Sequence, residues 1–416
     1  MRVTAAYKHL LHLPGVNVRK VAFQENRVIV TVGLRRRRLA CPLCDYSTGA
    51  RYDTRPVESR WRHLDLGTRV LELRAALRRL RCPAHGVRVE GVPFARHGSE
   101  FTRDFEDLVA WLASRMDATA VTALVRIAWR TVGAIVSRVL PDELDPNRLE
   151  ELFEIGVDEV SWRKRHRYLT LVTDHRRGKV VWGTEGKDTA AADRFFEELG
   201  KERSSKIQAV SMDMSPAYEK SVRASGHAPQ ATICFDPFHV VALATKALEQ
   251  VRRRVWNEMR RTDKDKAKTF KGARWVLLKN PKKLTDEQAA TLRKLRRQGG
   301  AAWRAYRLKE ALREIFSPDL SAQEAEQLLL RWCSQAQRSR LEPFVKLAET
   351  IRKHFPGILA AIRLKLNNAR LEALNNKVRL VVRRAYGFHS AEAALALVML
   401  VCGPVNLCLP HQRGLG

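Results

Sequence analysis

The chain has 416 residues, 45% of them hydrophobic, so it is long enough for two to four domains with buried cores and is not compositionally disordered. Its 76 Lys and Arg against 45 Asp and Glu give a formal net charge of +31, which indicates a polyanionic partner. Nucleic acid is the first candidate, and a membrane surface is a weaker one. A solvated basic surface without a dedicated partner is the alternative. The longest apolar run, Ala393 to Gly403, has 11 residues, whereas a membrane-spanning helix needs about 20.

The cysteines and the first residues favour a cytoplasmic protein. The seven cysteines are an odd number and widely scattered, which argues against a disulfide framework and for a reducing compartment. The N-terminus has no apolar signal core after a basic start, so we do not expect secretion.

Residues 1–40 have the composition of strands, most clearly in the β-branched stretch from Arg27 to Leu34. Two ligand pairs follow, Cys41-Pro-Leu-Cys44 and Cys82-Pro-Ala-His85, separated by 37 residues. Four thiolate or imidazole ligands suit tetrahedral Zn²⁺ and leave no open position, so we expect a structural zinc. His63 is an alternative fourth ligand, and free buried thiols are the alternative to a metal site. The module also carries a basic run that we expect to contact DNA: Arg35, Arg36, Arg37 and Arg38.

Residues 102–140 have apolar residues at helical spacing, which predicts a helix-turn-helix. In this interpretation Ala118 to Arg126 forms the first helix and Trp129 to Leu140 the recognition helix. An ordinary three-helix packing unit has the same periodicity. A linker is predicted from Pro141 to Asn147. The side chains expected at the major groove are Arg130, Thr131, and either Ser137 or Arg138.

From residue 151 the pattern changes to α/β. Three strands are predicted first, then a helix, then two further strands, which favours a mixed sheet. The predicted strands are Phe153 to Val160, Tyr168 to Thr173, Lys179 to Gly183, Ile207 to Met212 and Thr232 to Phe235, and the helix is Thr189 to Leu199.

Residues 237–366 are predicted to be almost entirely helical and are strongly basic. Between residues 246 and 279 there are 12 Lys and Arg and only 4 acidic residues, which is typical of a surface that contacts phosphates. Two more helices are predicted, at 367–384 and 390–402. The candidate phosphate contacts are Arg252, Arg253, Arg254, Arg383 and Arg384.

Three carboxylates lie in contexts that favour metal chemistry. Asp158 is near the end of one predicted strand, Asp213 follows another, and Glu372 lies in a predicted helix. A buried carboxylate is costly unless it is paired, protonated or bound to metal. Three together would make an all-oxygen site for Mg²⁺ or Mn²⁺. Taken singly, each has a structural alternative: a strand end, a turn or helix cap, and an exposed helical ion pair.

The motifs around these residues resemble those of bacterial insertion-sequence transposases of the ISL-three type. The similar segments are Gly156 to Trp162, Val210 to Tyr218, Cys234 to Val240 and Asn367 to Phe388, together with the two Cys pairs. The resemblance covers essentially the whole chain in the same order. Its one departure is His85, where many relatives are expected to have Cys.

The resemblance implies a multidomain α/β protein with a ribonuclease-H-like mixed-sheet core and an Asp-Asp-Glu triad formed by Asp158, Asp213 and Glu372. Asp236, which also follows a strand, is a rival second ligand, and His239 is a possible accessory residue. The expected domains are a zinc module at 1–95, a helix-turn-helix at 96–145, the first part of the core at 146–240, a basic helical insertion at 241–360, and the last part of the core at 361–416.

The function implied is transposition. The protein would bind the terminal inverted repeats of an insertion sequence, hydrolyse phosphodiesters at its ends, and join the 3′-hydroxyl to target DNA by two-metal-ion chemistry. We expect double-stranded DNA and a second copy of the chain as partners, and a nucleoid-associated location in a bacterium. The alternatives are an inactive DNA-binding repressor derived from a transposase, and a metal-dependent nuclease without strand transfer.

Overall fold

The computed structural model describes residues 2–163, 167–223, 226–317, 319–364, 366, 369–385 and 387–412, and only the backbone of 369–372. The chain forms two compact units. The first comprises Met1–Asp145 and Val381–Gly416, and the second comprises Pro146–Leu380.

The first unit begins with a helix, and strands follow. The helix, α1 (Val3–Leu11), corrects the prediction of strands throughout residues 1–40. Tyr7 lies on its buried face. The alternating valines that favour a strand begin at Val16, where β1 starts. The strands are β1 (Val16–Phe23), β2 (Arg27–Leu34), β3 (Leu39–Ala40), β4 (Ser47–Thr48), β5 (Asp53–Thr54), β6 (Ser59–Arg62), β7 (Val70–Ala75), β8 (Arg78–Cys82) and β9 (Gly86–Val89).

These strands form three small sheets. The largest has the order β1-β2-β7-β6, and its buried face packs around Val30, Leu73, Trp61 and Phe94. The other two are the β3-β4 pair and the β5-β8-β9 sheet. A separate cluster of Leu39, Cys41, Leu80 and Cys82 lies where β3 and β8 meet, so the two cysteine-bearing segments are brought together by packing.

Three helices follow: α2 (Arg103–Arg115), α3 (Ala118–Val125) and α4 (Trp129–Glu143). Between α3 and α4 the chain bends by 98° within three residues, and Arg126 adopts a left-handed conformation there (φ 55°). This angle and turn length are those of a helix-turn-helix. The helix α4 continues past Pro141, where a linker was predicted, because a proline in the last turn removes only one helical hydrogen bond.

The C-terminal part of the first unit packs on these helices. An apolar helix, α17 (Ala391–Cys402), contacts α4 and α2, and a single bridge pairs Leu144 with Val405. Within the part of the chain that the structure describes, no single helix is both long and apolar enough to cross a membrane. Only the bent pair α3 and α4, counted together, reaches the required length and composition.

The second unit is built on a five-stranded mixed sheet of order β12-β11-β10-β13-β14. The first three strands are antiparallel neighbours, and β13 and β14 run parallel to β10. The predicted mixed sheet is therefore confirmed. The strands are β10 (Glu154–Arg163), β11 (Arg167–Asp174), β12 (Lys179–Glu185), β13 (Ala209–Met212) and β14 (Thr232–Phe235).

Helices pack on this sheet and extend from it. One apolar core joins the sheet to the helical stretch through residues such as Phe195, Tyr218, Leu248 and Trp332. Around the strands lie α5 (Thr189–Leu199), α6 (Lys201–Ser204) and α7 (Pro216–Arg223). The helical stretch contains α8 (Pro237–Thr262), α9 (Lys264–Gly272), α10 (Arg274–Leu278), α11 (Asp286–Gln298), α12 (Gly300–Ile315), α13 (Ala322–Arg338), α14 (Glu342–Lys353), α15 (Phe355–Arg363) and α16 (Ala369–Arg384).

Candidate catalytic and metal sites

The sheet register places three aspartates side by side. Val157 on β10 pairs with Met212 on β13, and Met212 pairs with Phe235 on β14. Asp158, Asp213 and Asp236 are the next residues along these three parallel strands. Neighbouring strands lie about 4.8 Å apart, and equivalent positions of parallel strands point to the same face. The three carboxylates therefore line one cavity, which lies at the carboxyl ends of β13 and β14, where α/β sheets commonly bind ligands, and beside the middle of β10.

Asp158 is held through both of its carboxylate oxygens. Its Oδ1 accepts a hydrogen bond from the backbone N–H of Glu159 (2.7 Å), and its Oδ2 accepts one from Nδ2 of Asn375 on α16 (2.6 Å). Burial raises the pKa of the Asp158 carboxyl above its ordinary value, and the neighbouring Asp213 charge acts in the same direction. Burial therefore penalises the ionised side chain, whereas the hydrogen bonds and the positive charge of Arg379 stabilise it.

Asp213 occupies the middle position of the three. Its Oδ1 accepts a hydrogen bond from the backbone N–H of Ser215 (3.1 Å), which is the turn predicted as the structural alternative. Burial raises the pKa of the Asp213 carboxyl as well, although His239 opposes the shift. Two partly buried carboxylates at adjacent positions repel each other, and a divalent cation between them would relieve that repulsion.

Asp236, the rival second ligand, caps the helix α8. Its Oδ1 accepts a hydrogen bond from the backbone N–H of Phe238 (2.8 Å), and its Oδ2 lies 3.8 Å from Nε2 of His239. His239 also lines the cavity. Asp236 therefore has a helix-capping role whether or not it contacts a metal.

Glu372 lies within the bounds of α16, but its side chain is outside the described part of the chain, as are Asn367 and Tyr386 of the same motif. The described residue on this helix that reaches the cavity is Asn375, three positions after residue 372. Sequence reasoning did not single out Asn375. The available signal was an Asn pair inside a helix, where Asn is a poor helix former.

Four side chains of the first unit form a group that could hold a metal ion. The ligand atoms of Cys41, Cys44, Cys82 and His85 all lie within 4.8 Å of one another. Nδ1 of His85 is 3.5 Å from Sγ of Cys82 and 3.7 Å from Sγ of Cys41, and the Sγ atoms of Cys44 and Cys82 are 3.7 Å apart. Zinc bonds of about 2.3 Å to sulfur and about 2.0 Å to nitrogen place tetrahedral ligand atoms roughly 3.5–3.8 Å apart.

His63, the alternative fourth ligand, is not part of this group. Its side chain is buried, and its Nδ1 lies 2.8 Å from the hydroxyl of Thr102 at the start of α2. His85 is therefore the histidine that completes the Cys₃His set.

Comparison with known proteins connects these features to a family. Residues 155–398 match a family model described as a transposase, and residues 90–140 match the helix-turn-helix domain of transposase family ISL3. The chain belongs to the ISL3 family of transposases. The resemblance inferred from the motifs is confirmed, and the matched domain contains α3 and all but the last three residues of α4.

Two curated relatives of this transposase cover most of its length. The transposase for insertion sequence element IS1557 of Mycobacterium tuberculosis is 43% identical over 383 residues, which is 87% of this chain and 85% of the relative. The transposase for insertion sequence element IS1001 of Bordetella parapertussis is 30% identical over 317 residues, or 76% of this chain and 77% of the relative.

Some of the basic residues expected to contact DNA already form hydrogen bonds within the protein. In the run after β2, Arg35 donates to the carbonyl of Val16 (2.8 Å) and Arg38 to that of Ser47 (2.7 Å). Arg36 donates to the carbonyl of Gly91, and Arg37 is exposed. This transposase thus uses three of the four arginines in its basic run to connect segments within residues 1–95.

On the recognition helix of the transposase, Arg130 is exposed and Thr131 is half-buried. Arg138 faces the other way, since its guanidinium pairs with the fully buried Glu106 at 2.8 Å. Ser137, in the middle of α4, is also exposed, so the DNA-contact candidates that α4 presents to solvent are Arg130 and Ser137.

Among the remaining arginines, Arg252 is 7% exposed and forms two hydrogen bonds with Glu249. Arg384 donates to the carbonyls of Ala113, Ser114 and Arg115, and so satisfies the C-terminal end of α2. These two side chains have structural partners. Exposed positions are held by Arg253, Arg254 and Arg383.

Proposed function

We propose that this transposase cleaves DNA at the ends of its own insertion sequence and joins the exposed 3′-hydroxyl to target DNA. The register of β10 and β13, which places Asp158 and Asp213 in one cavity, carries the proposal. Three antiparallel strands followed by two parallel ones, with helices on the sheet, support the ribonuclease-H-like core inferred from the motifs.

Asp158 and Asp213 would hold the catalytic cation, with Glu372 as the third carboxylate. The donor set suits Mg²⁺ or Mn²⁺ because it offers oxygen ligands, and burial raises the pKa of both aspartates, so a bound cation would stabilise their ionised forms. Positions three apart on a helix share a face, so the contact made by Asn375 supports assigning residue 372 to the same cavity. Asp236 and His239 are accessory candidates at the same edge.

When bound, such ions stabilise the charge that develops at phosphorus and activate the attacking oxygen. In the first step, water attacks the phosphodiester at the element's end, and the bond to the 3′-oxygen breaks, which leaves a 3′-hydroxyl. In the second step that hydroxyl attacks a target phosphodiester, and the target's own 3′-oxygen leaves. The carboxylates of this chain hold the reacting centre, and neither step needs a covalent link between protein and DNA.

The DNA ends would be recognised by the first unit. We assign the major-groove contact to the first turn of α4, where Arg130 is exposed, and phosphate contacts to the exposed arginines Arg37, Arg253, Arg254 and Arg383. A zinc ion held by the Cys₃His group would be structural, since four protein ligands leave no open position. Because two ends must be joined, we propose that the transposase acts as a homodimer on DNA.

We assign a function to each of the expected domains. We assign residues 1–95 and 96–145 to end recognition, 146–240 and the part of 361–416 that precedes Val381 to the catalytic core, and the basic insertion 241–360 to DNA contact. Residues 381–416, expected in the core, belong to the first unit. This arrangement is supported by the net charge and by the helix-turn-helix within the first unit.

Strand transfer is the step that separates a transposase reaction from simple nuclease activity. The test incubates the full chain with Mg²⁺, a supercoiled target plasmid, and a labelled fragment that carries the element's end already cleaved to a free 3′-hydroxyl. We expect label to become covalently joined to the plasmid, and no joining when the 3′ end is a dideoxynucleotide. Cleavage of intact ends without any joining would instead assign the site to a nuclease.

A further inference from the structure

The hydrogen bond between Asn375 and Asp158 is an unusual contact for a helix interior. Asn375 lies in the middle of α16, on a face that includes the buried Leu374 and Val378, whereas its neighbour Asn376 is exposed. Its Nδ2 reaches across to a strand residue 217 positions earlier in the chain and donates at 2.6 Å. Asn lowers helix stability relative to Leu or Ala, so local propensity does not explain it.

The contact completes the fixation of the Asp158 carboxylate. With Oδ1 bound by the backbone N–H of Glu159 and Oδ2 by Asn375, rotation of the carboxylate group would break at least one of two short hydrogen bonds. Each oxygen has two lone pairs, so each keeps one for a metal. The orientation of those free lone pairs is therefore set by the two donors.

The chemistry of the donor matters as much as its position. An amide is neutral, so it satisfies a partly buried carboxylate without adding a positive charge that would compete with a divalent cation. A Lys or Arg at the same place would neutralise Asp158 and weaken its attraction for metal. Partners of this kind, which hold a ligand without touching the metal, commonly change metal affinity or activity by about 10- to 100-fold.

We infer that Asn375 is a positioning residue of the catalytic site: its amide orients the Asp158 carboxylate for the cation and fixes the register of α16 against β10. Fixing the register of α16 also fixes the position of the backbone at Glu372, which precedes Asn375 by about one turn of the same helix. Sliding α16 by one residue along its axis is about 1.5 Å, enough to break the Asn375 hydrogen bond. This inference rests on the proposed function, because it presumes that Asp158 is a metal ligand.

The test compares two substitutions at Asn375 with the same two at its neighbour. Asn375→Leu keeps the branched outline of the side chain and removes the donor, and Asn375→Ala removes both. Asn376→Leu and Asn376→Ala make the same chemical changes at an exposed site. The zinc-loaded full chain is titrated with Mn²⁺, and free Mn²⁺ is followed by electron paramagnetic resonance. Asp213→Asn defines the background from other sites.

We expect both Asn375 variants to bind Mn²⁺ about 10- to 100-fold more weakly than both Asn376 variants. The Mg²⁺ concentration that gives half-maximal DNA cleavage should rise by a similar factor, whereas the cleavage rate at saturating Mg²⁺ should fall less. A contact that only stabilised the fold would not separate these two effects. The inference is overturned if either folded Asn375 variant binds Mn²⁺ within twofold of its Asn376 counterpart. A wild-type chain that shows no Mn²⁺ binding above Asp213→Asn would contradict the proposed function itself.

Discussion

A buried ionic cluster in the first unit allows a quantitative stability prediction. Arg96 is only 5% exposed along its side chain, and its guanidinium pairs with Glu106 (3.3 Å), Asp107 (2.8 Å) and Asp142 (2.7 Å). The side chains of Glu106 and Asp107 are fully buried on α2, and Asp142 belongs to the end of α4. Arg96 therefore joins the loop before α2 to both ends of the helix-turn-helix region.

Arg96→Met keeps the apolar stem and removes the charge. Breaking a buried ion pair by removing one partner costs about 3–5 kcal/mol, because the other charge stays buried without compensation. Glu106 would retain Arg138 (2.8 Å) and the hydroxyl of Ser99 (2.7 Å), so we expect a loss near the lower end, about 3 kcal/mol. For a unit of this size each kcal/mol lowers the melting temperature by about 2–4 °C, so the expected shift is roughly 6–12 °C.

Differential scanning calorimetry of the full chain is the appropriate assay, because two compact units need not unfold together. The control is Arg79→Met, which removes an arginine whose ion pair with Asp53 is more than one third exposed on both sides, and which should leave the transition nearly unchanged. If Arg96→Met lowers the stability by less than about 0.5 kcal/mol, the cluster does not hold this region together, and the reasoning from burial is wrong.

Three further outcomes follow from the sites. Cys82→Ser should reduce the bound zinc, measured by metal analysis of the purified chain, from one equivalent to none, whereas Cys234→Ser, a buried thiol outside the group, should leave it unchanged. Asp213→Asn should raise the melting temperature of the protein prepared without divalent cations at neutral pH, since burial raises the pKa of that carboxyl and penalises its charge. The gain should shrink as the pH falls toward the ordinary aspartate value of about 3.9, and a mutant less stable at neutral pH would contradict it. Arg130→Ala should weaken binding to the element's ends by about 1–3 kcal/mol and change binding to unrelated DNA little, because we assign Arg130 to a base contact. Arg252→Ala should leave both affinities unchanged because that side chain is buried, and an Arg130→Ala chain that discriminates between the two DNAs as well as the wild type would remove Arg130 from the interface.

The regular elements of the second unit could be predicted because their patterns are strong. The helix α5 (Thr189–Leu199) and the strand β14 (Thr232–Phe235) have the predicted bounds, and β10 to β13 differ from prediction only at their ends. Alternating or continuous apolar residues bounded by turn residues leave few alternatives. The N-terminal helix α1 was missed because nine residues with one buried aromatic give little periodicity.

The roles of individual polar side chains were harder to predict. In the sequence, Arg252 and Arg384 cannot be distinguished from exposed arginines. Only the fold shows that Arg252 pairs with Glu249 and that Arg384 binds the carbonyls at the end of α2. Likewise, the alignment of Asp158 with Asp213 depends on strand register, which no local pattern specifies. Asn375 became visible only through its contact with a strand residue far away in the sequence.

The most direct test of the central claim measures Mg²⁺-dependent cleavage and binding on the same DNA. A labelled fragment carrying the element's own ends is incubated with the wild type, with Asp213→Asn, and with Asp265→Asn, which makes the same charge change on the exposed face of α9. If Asp158 and Asp213 hold the catalytic cation, the wild type and Asp265→Asn cut at the ends, and Asp213→Asn binds the fragment equally well without cutting it. Equal cutting by Asp213→Asn would contradict the claim and make Asp236 the next candidate.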